Sequence, residues 1–211
     1  MNAAGNLQGI DVSHYQGQVD WSAVAAAGIA FAFAKATDGV TYTDPDFQAN
    51  WQGMRAAGLA RGAYHFYETG DDPVAQANHF VATVGALDAG DLPPVVDIES
   101  SSGDYEGRGI AANLQVWLNV VEQALGRTPM IYTNPSFWNN DVSADFGQYP
   151  LWIAQYGVAA PTVPTGWSAW SFWQYSEQGS VGGVAGEVDQ DVYAGASLAQ
   201  LIQWSRSRFQ P

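Results

Sequence analysis

Eight short apolar segments recur along the chain, and this recurrence restricts its possible folds more than any other feature of the sequence. Each segment is rich in Val, Ile, Phe, Tyr or Trp and is bounded by Gly, Pro or Asp, a pattern typical of buried strands. The segments span residues 9–13, 29–37, 60–67, 94–100, 129–134, 151–156, 169–175 and 188–193. Eight is the number of strands in a closed β/α barrel.

Helical patterns lie between the early strands and become rare in the last third of the chain. They are predicted over residues 19–27, 45–57, 73–87, 110–125 and, at the end, 197–209. Alternation of strand and helix predicts a parallel sheet with right-handed crossovers. We therefore predict an α/β fold, an irregular TIM-like (β/α)5(β)3 barrel. It forms a single domain over residues 9–211, after an N-terminal extension of residues 1–8.

The composition excludes several classes of protein. The 211 residues include no cysteine, which excludes a disulfide scaffold, a thiol enzyme and a cysteine-ligated metal site. Only 7 basic residues stand against 21 acidic ones, and the resulting net charge of −14 would repel nucleic acid. The longest uncharged apolar run, residues 24–34, is too short to span a bilayer.

The sequence predicts neither a metal site nor another cofactor. His14, His65 and His79 lack the spacing of metal ligands, and no glycine-rich phosphate-binding loop occurs. Residues 1–5 carry neither the basic nor the apolar region of a signal peptide, so we expect none. We expect a monomer that binds neither nucleic acid nor a membrane.

Two acids stand close together at the end of the fourth apolar segment. Residues two apart in a strand face the same side, so Asp97 and Glu99 should point together while Val96 and Ile98 face covering helices. Two neighbouring carboxyl groups resist joint ionisation, which raises one pKa and suits acid–base chemistry. A pair of acids bonded to backbone amides, or a cation site, would have the same spacing.

Two further acids lie at strand ends. Asp11 ends the first strand and Asp189 begins the last, and these strands are neighbours in a closed barrel, so the two acids could meet. Lys35 lies inside the second strand, where it could neutralise the acidic cluster or pair with Asp38.

Aromatic residues cluster in the last third of the chain, among them Tyr132, Trp152 and Trp173. Their faces can stack on sugar rings while the polar tips of Tyr and Trp reach hydroxyl groups. Most should pack in the core, and we expect a few to line a groove.

Several motifs follow one another in a single order over about residues 9–195. The first is DVSHYQG from Asp11, followed by VDW from Val19. The others lie at residues 33–39, 44–47, 57–66, 97–99, 129–133, 151–156, 173–175 and 188–189. This succession resembles the family-25 glycoside hydrolases, which are N-acetylmuramidases, one of the lysozyme types.

The resemblance implies an activity and a catalytic set. The activity is hydrolysis of the β-1,4 bond from N-acetylmuramic acid to N-acetylglucosamine in bacterial peptidoglycan, in a groove at the carboxyl ends of the strands. Glu99 corresponds to the general acid/base, and Asp97 to the acid that assists the substrate acetamido group. Asp11 and Asp189 correspond to two further active-site acids.

Substrate contacts follow less directly from the resemblance. Tyr64 and Tyr132 match sugar-facing tyrosines of the family, and we expect Trp152, Gln155 and Trp173 to bind substrate with them. The chain departs from the family at two positions: Asp38 stands where Glu is frequent, and Asp191 where Asn is frequent.

Two alternatives remain open at the level of sequence. An Asp-x-Glu strand end also resembles chitinases, although their longer motif has another Asp where this chain has Val95. The second alternative is a barrel that binds cell-wall glycan without cleaving it. The substrate implies an extracellular site of action, at the bacterial cell wall.

Overall fold

A computed structural model describes residues 6–207 and contains all eight predicted strands. They are β1 (Gln8–Val12), β2 (Phe31–Asp38), β4 (Ala60–Phe66), β5 (Val95–Asp97), β6 (Met130–Thr133), β7 (Leu151–Ala154), β8 (Phe172–Gly179) and β9 (Val188–Tyr193), with a two-residue β3 (Tyr42–Thr43) added at the edge of β2. Residues 1–5 and 208–211 lie outside the described residues, as do most of the predicted N-terminal extension and the end of the last predicted helix.

The strands form a closed barrel. Their order is β1-β9-β8-β7-β6-β5-β4-β2-β3, and pairing of β1 with β2 closes the ring. The prediction of a parallel sheet is confirmed for β1, β2 and β4 to β8, but it is wrong for β9, which runs antiparallel to both β1 and β8. Residues 180–187 between β8 and β9 contain no helix, and such a short connection returns the chain as a hairpin.

Helices cover the first half of the barrel, as predicted. They are α1 (Trp21–Ala26), α2 (Phe47–Ala56), α3 (Pro73–Val84), α4 (Ile110–Leu125), the short α5 (Pro135–Phe137) that continues into a π-helical turn (Trp138–Val142), and α6 (Leu198–Ser207). The cap of α3 is Asp72, whose carboxylate accepts hydrogen bonds from the backbone N–H groups of Val74 and Ala75. The helix-poor last three strands confirm the (β/α)5(β)3 arrangement.

Apolar side chains pack on both faces of the sheet. Phe31, Phe33 and Phe172 fill the barrel interior, where their rings meet edge to face. On the outer face, Val96 and Ile98 pack with the helices in the largest apolar cluster. Strands β7 to β9 lack helices, and their outer face is covered instead by side chains of the loop after β7, including Val163, Trp167 and Trp170.

At the amino end of the barrel, Leu201 and Trp204 of α6 pack against the interior apolar cluster, and a buried ion pair lies on the outer face of β4. Arg61, at the start of β4, donates from Nε to Asp91 Oδ1 over 2.7 Å and from one terminal nitrogen to the carbonyl of Trp51. The carboxyl ends of the parallel strands therefore form the open end. Between residues 6 and 207, no helix is long and apolar enough to cross a membrane.

Candidate active site

A cleft of about 320 Å³ opens at the carboxyl ends of the strands, where ligands bind in barrel folds. Asp11, Asp97, Glu99 and Asp189 all line it. The structure therefore brings the four predicted acids together, although they lie as far apart in sequence as the two ends of the chain. Closure of the barrel is responsible, because it pairs Asp11 with Asp189 in the register of β1 and β9.

The backbone of β5 holds Asp97 and Glu99 on the cleft side. The carbonyl of Asp97 accepts from the N–H of Tyr67, and the N–H of Ile98 donates to the carbonyl of Tyr132. Ile98 is fully buried against the helices, so the residues on either side of it face the cleft, as the alternation predicted. Asp97 is 8% exposed and ends the strand, whereas Glu99 lies just beyond it and is half-buried.

Burial and nearby negative charges raise the pKa values of both acids of this pair. Desolvation raises the pKa of Asp97 well above its usual value, and the charge of Glu99 raises it further. The pKa of Glu99 is also raised, first by burial and then by the charge of Asp189. Among the described residues Asp97 Oδ1 has no hydrogen-bond partner, although it is buried. A buried acceptor without a donor is costly, and a ligand N–H group could satisfy it.

Lys35 is the cation that faces these acids. Its Nζ donates to Asp38 Oδ2 over 2.8 Å and lies 4.8 Å from the centre of the Phe66 ring. Lys35 therefore has both predicted roles. It pairs with Asp38, and its charge lowers the pKa values of Asp97 and Glu99.

A second acidic group joins the ends of β1 and β9. Burial is the main cause of the raised pKa values in this group. It raises those of Asp11 and Asp191 well above normal and that of Asp189 to about 6. Asp191 is completely buried, and its Oδ1 accepts from Trp152 Nε1 over 2.8 Å. Among the described residues, its Oδ2 is buried without a hydrogen-bond partner. The charge of Asp191 also raises the pKa of Asp11, so a proton on one of these two acids relieves their repulsion.

Gln174 connects Asp11 to two tyrosines of the cleft, and sequence reasoning assigned it no role. Its Nε2 donates to Asp11 Oδ2 over 2.7 Å, and its Oε1 accepts from the hydroxyl groups of Tyr132 and Tyr156. The available signal was the alternation in β8, where Phe172 and Gln174 face inward and Trp173 must face outward.

The predicted substrate-binding residues fall into three groups. Tyr64, Tyr132 and Trp152 line the cleft. Gln155 lines a depression beside the cleft instead. The structure does not bring Trp173 to either surface: it packs on the outer face of the barrel, and its Nε1 donates to the carbonyl of Gln155.

The tyrosines of the cleft retain their hydroxyl protons. Burial raises the pKa values of Tyr64 and Tyr132 well above normal, and the charge of Asp11 or Asp97 adds to the effect. These side chains therefore keep their hydroxyl protons and can donate hydrogen bonds at neutral pH. Further residues of the cleft, to which the sequence assigned no role in the site, are Ser13, Tyr15, Gln16, Tyr156 and Glu177.

The cleft has the composition of a site for acid–base chemistry on a polar ligand. Residues 6–207 contain no group of three or more His, Asp or Glu side chains that could hold a metal ion. What the cleft offers is several carboxyl groups with raised pKa values next to hydroxyl and amide groups, an arrangement suited to glycosidic bond cleavage.

Comparison with known proteins decides the family. Residues 10–184 match the sequence model described as glycosyl hydrolases family 25. The chain belongs to this family. Its structure superimposes on that of a bacterial lysozyme from Streptomyces coelicolor with a TM-score of 0.90 and 39% identity, covering 97% of this chain and 99% of that one. A family GH25 lysozyme from Aspergillus fumigatus gives a TM-score of 0.85 and 33% identity, covering 95% of this chain and 99% of that one.

Two curated relatives of this glycoside hydrolase carry names that state an activity. Lysozyme M1 of Streptomyces globisporus is 41% identical over 207 residues, which cover 93% of this chain and 70% of that protein. An N,O-diacetylmuramidase of Chalaropsis sp. is 36% identical over 177 residues, which cover 76% of this chain and 83% of that protein. The chain is therefore a family-25 enzyme, with the barrel that such enzymes have.

Proposed function

We propose that this family-25 hydrolase is a lysozyme. It hydrolyses the β-1,4 bond between N-acetylmuramic acid and N-acetylglucosamine in bacterial peptidoglycan. Glu99 is the general acid and base, and Asp97 assists the acetamido group of the substrate. The family and its lysozyme and muramidase relatives favour this activity over a chitinase or a non-catalytic barrel.

The single observation that supports the catalytic assignment is the buried Asp97 oxygen without a hydrogen-bond partner among the described residues. This atom is Oδ1, and it is buried in the cleft. An acetamido N–H would supply the missing donor and would favour the ionised form of Asp97. The proton of the coupled pair would then reside on Glu99, whose raised pKa suits a general acid.

The first chemical step breaks the glycosidic bond. Glu99 gives its proton to the glycosidic oxygen as that oxygen leaves the anomeric carbon of the muramic acid. The acetamido oxygen of the same sugar attacks this carbon and forms a cyclic cation, which the carboxylate of Asp97 stabilises. Such substrate assistance is an established exception to the rule that a glycosidase uses a carboxylate nucleophile.

The second step releases the sugar. The carboxylate of Glu99 takes a proton from a water molecule, whose oxygen attacks the anomeric carbon and opens the ring. Two inversions give net retention. NMR of the first-formed anomer tests this scheme, because an initially inverted product would make Asp97 the base of an inverting reaction instead. Asp97 as a direct nucleophile would also give retention, but with a covalent sugar–enzyme intermediate that mass spectrometry could trap.

The choice of substrate can be tested with purified cell walls. We expect walls to lose turbidity, and mass spectrometry should find muramic acid at the new reducing ends. New reducing ends of N-acetylglucosamine, or faster cleavage of chitin oligomers than of peptidoglycan, would favour the chitinase alternative. Binding to walls without any loss of turbidity would favour a non-catalytic barrel. The proposal includes a monomeric enzyme that acts outside the cell, at the bacterial wall.

A further inference from the structure

A second depression adjoins the catalytic cleft on the side of β6 and β7. It shares Glu99, Tyr156 and Glu177 with the cleft, so one ligand could occupy both. The rest of its wall is rich in primary amides that follow the carboxyl ends of the two strands. The side chains that matter here are Asn134, Asn139 and Gln155.

The oxygen atom of each of these amides is already bound to the backbone. Asn134 Oδ1 accepts from the N–H of Phe137 over 2.9 Å and caps α5. Asn139 Oδ1 accepts from the N–H of Thr165 over 3.0 Å. Gln155 Oε1 accepts from the N–H of Thr162 over 2.7 Å. Because a backbone N–H requires an acceptor, these contacts fix which end of each amide is oxygen.

The amide nitrogens are therefore the atoms of these side chains that can donate hydrogen bonds to a ligand in the depression. Within residues 6–207, Asn134 Nδ2, Asn139 Nδ2 and Gln155 Nε2 donate no hydrogen bond to the protein, whereas their oxygens are occupied. The connections after β6 and β7 thus hold three pairs of N–H donors around one surface, which we call the amide face. A surface of fixed donors is complementary to a ligand rich in acceptor oxygens.

The negative charge around the depression disfavours an anionic ligand. The amides are neutral, Glu99 and Glu177 border the depression, and the whole chain carries a net charge of −14. A carboxylate, such as that of a wall peptide, would meet repulsion here. A neutral sugar with hydroxyl and acetamide oxygens meets donors without that penalty.

The position of the depression relative to the acids identifies which sugar it faces. Asp97 lies in the cleft and is not part of the depression, so the ring whose acetamido group it assists occupies the cleft. Glu99 borders both, and it must stand at the glycosidic oxygen between two sugars. The sugar beyond Glu99 is then the one that leaves.

We propose that the amide face of Asn134, Asn139 and Gln155 binds the N-acetylglucosamine unit on the leaving side of the scissile bond. This inference rests on the proposed function and adds to it a determinant of substrate preference. The amide face holds the leaving sugar in place through its acceptor oxygens, while Glu99 delivers the proton.

Asn139→Asp is the sharpest test variant. The new carboxylate keeps an oxygen for the N–H of Thr165, so the loop stays in place, but the donor becomes an acceptor. The matched control is Asn119→Asp on α4, an exposed position away from the cleft that gains the same charge. Gln155→Glu makes the same change from donor to acceptor in the loop after β7.

The measurement compares the kcat/KM of each variant on two substrates. One is polymeric glycan, and the other is a 4-nitrophenyl glycoside of the disaccharide that ends in muramic acid, whose leaving group is too short to make the amide contacts. For Asn139→Asp, the ratio of kcat/KM on glycan to kcat/KM on the aryl glycoside should fall about tenfold, since a hydrogen bond to the leaving sugar is lost and a repelling acceptor replaces the donor. The ratio for Asn119→Asp should match that of the wild type.

Three outcomes would overturn the inference. One is an equal loss on both substrates, and another is no loss on either. The third is a loss on glycan that disappears when wall peptides are removed enzymatically, which would show that the depression binds peptide instead. None of these outcomes affects the proposed function, which is tested separately by the reducing ends that the wild-type enzyme releases from cell walls.

Discussion

Gln174 donates a hydrogen bond from Nε2 to Asp11 Oδ2 over 2.7 Å and so links the last parallel strand of the barrel to its first. The same side chain accepts from two tyrosine hydroxyls, which fixes the direction of every bond it makes. Gln174 is therefore the residue through which Asp11 and two tyrosines of the cleft keep one geometry.

Replacing this amide by an acid should disturb the site without changing its shape. In Gln174→Glu a carboxylate faces Asp11, which removes the bond that lowers the Asp11 pKa and adds a repelling charge. We expect kcat/KM on peptidoglycan at pH values of about 7 to fall by at least roughly tenfold. Part of this loss should be recovered at acid pH, where the new group is protonated. Gln178→Glu, at the exposed end of the same strand, is the control. Equal activity of both variants would remove Gln174 from this role.

Asp191 should lower the stability of the protein at neutral pH. Its pKa is raised in the folded state, mainly by burial, above the usual value of 3.8. The folded protein therefore holds this proton to higher pH than the unfolded chain, and the free energy of unfolding falls as pH rises above that usual value. Asp191→Asn keeps the acceptor for Trp152 Nε1 and cannot ionise.

Thermal unfolding of this variant measures the effect. At a pH of about 7 we expect its free energy of unfolding to exceed that of the wild type by about 1 kcal/mol or more, the cost of roughly one pKa unit. The gain should shrink toward a pH of about 3, where Asp191 is neutral in both states. A gain independent of pH, or a loss at neutral pH, would show that the buried group is not held protonated.

Lys35 and Asp38 should move the pH profile of activity in opposite directions. Lys35 lowers the pKa values of Asp97 and Glu99, so Lys35→Gln should shift both limbs of the profile to higher pH, by up to about one unit. Asp38 raises the pKa of Asp97 and engages Lys35, so Asp38→Asn should shift the acid limb to lower pH. Profiles of kcat/KM for the two variants give the comparison, and shifts of the same sign would contradict it.

The charge of the whole protein has a consequence for activity on cell walls. Its formal value is −14, and bacterial walls are often anionic, so the enzyme approaches its substrate against repulsion. We expect wall lysis to be slower at very low salt than at about 0.1 M, where charges are screened, and to have its optimum below about pH 7, where Glu99 stays protonated. Turbidity assays across ionic strength check this, and a maximum at low salt and alkaline pH would be the contrary result.

The position of Asp97 and Glu99 in the cleft could be predicted because strand alternation is a local property. The spacing of Asp97 and Glu99 determines that they share a face, and the same alternation separates Tyr64 in the cleft from His65. The structure places His65 among buried side chains with a pKa lowered to about 3 by burial. Predicting that Asp11 meets Asp189 required one further inference, that the barrel closes.

Features that depend on chain direction and loop packing were beyond the sequence. The antiparallel course of β9 follows from a connection without a helix, and the motif around Trp173 did not reveal that Gln174 is the inward residue. The amide face also depends on loops, because Thr162 and Thr165 take up the oxygens of Gln155 and Asn139 only after the loop beyond β7 has folded back.

The most direct test of the account is hydrolysis of purified peptidoglycan by Glu99→Gln. Glutamine has nearly the same shape as glutamate but cannot give a proton to the glycosidic oxygen or take one from water. The release of new reducing ends should fall by about a thousandfold or more, while the unfolding temperature stays at or above that of the wild type, because a half-buried acid is replaced by a neutral amide. Wall hydrolysis near the wild-type rate by a correctly folded Glu99→Gln protein would contradict the assignment of Glu99 as the catalytic acid and base.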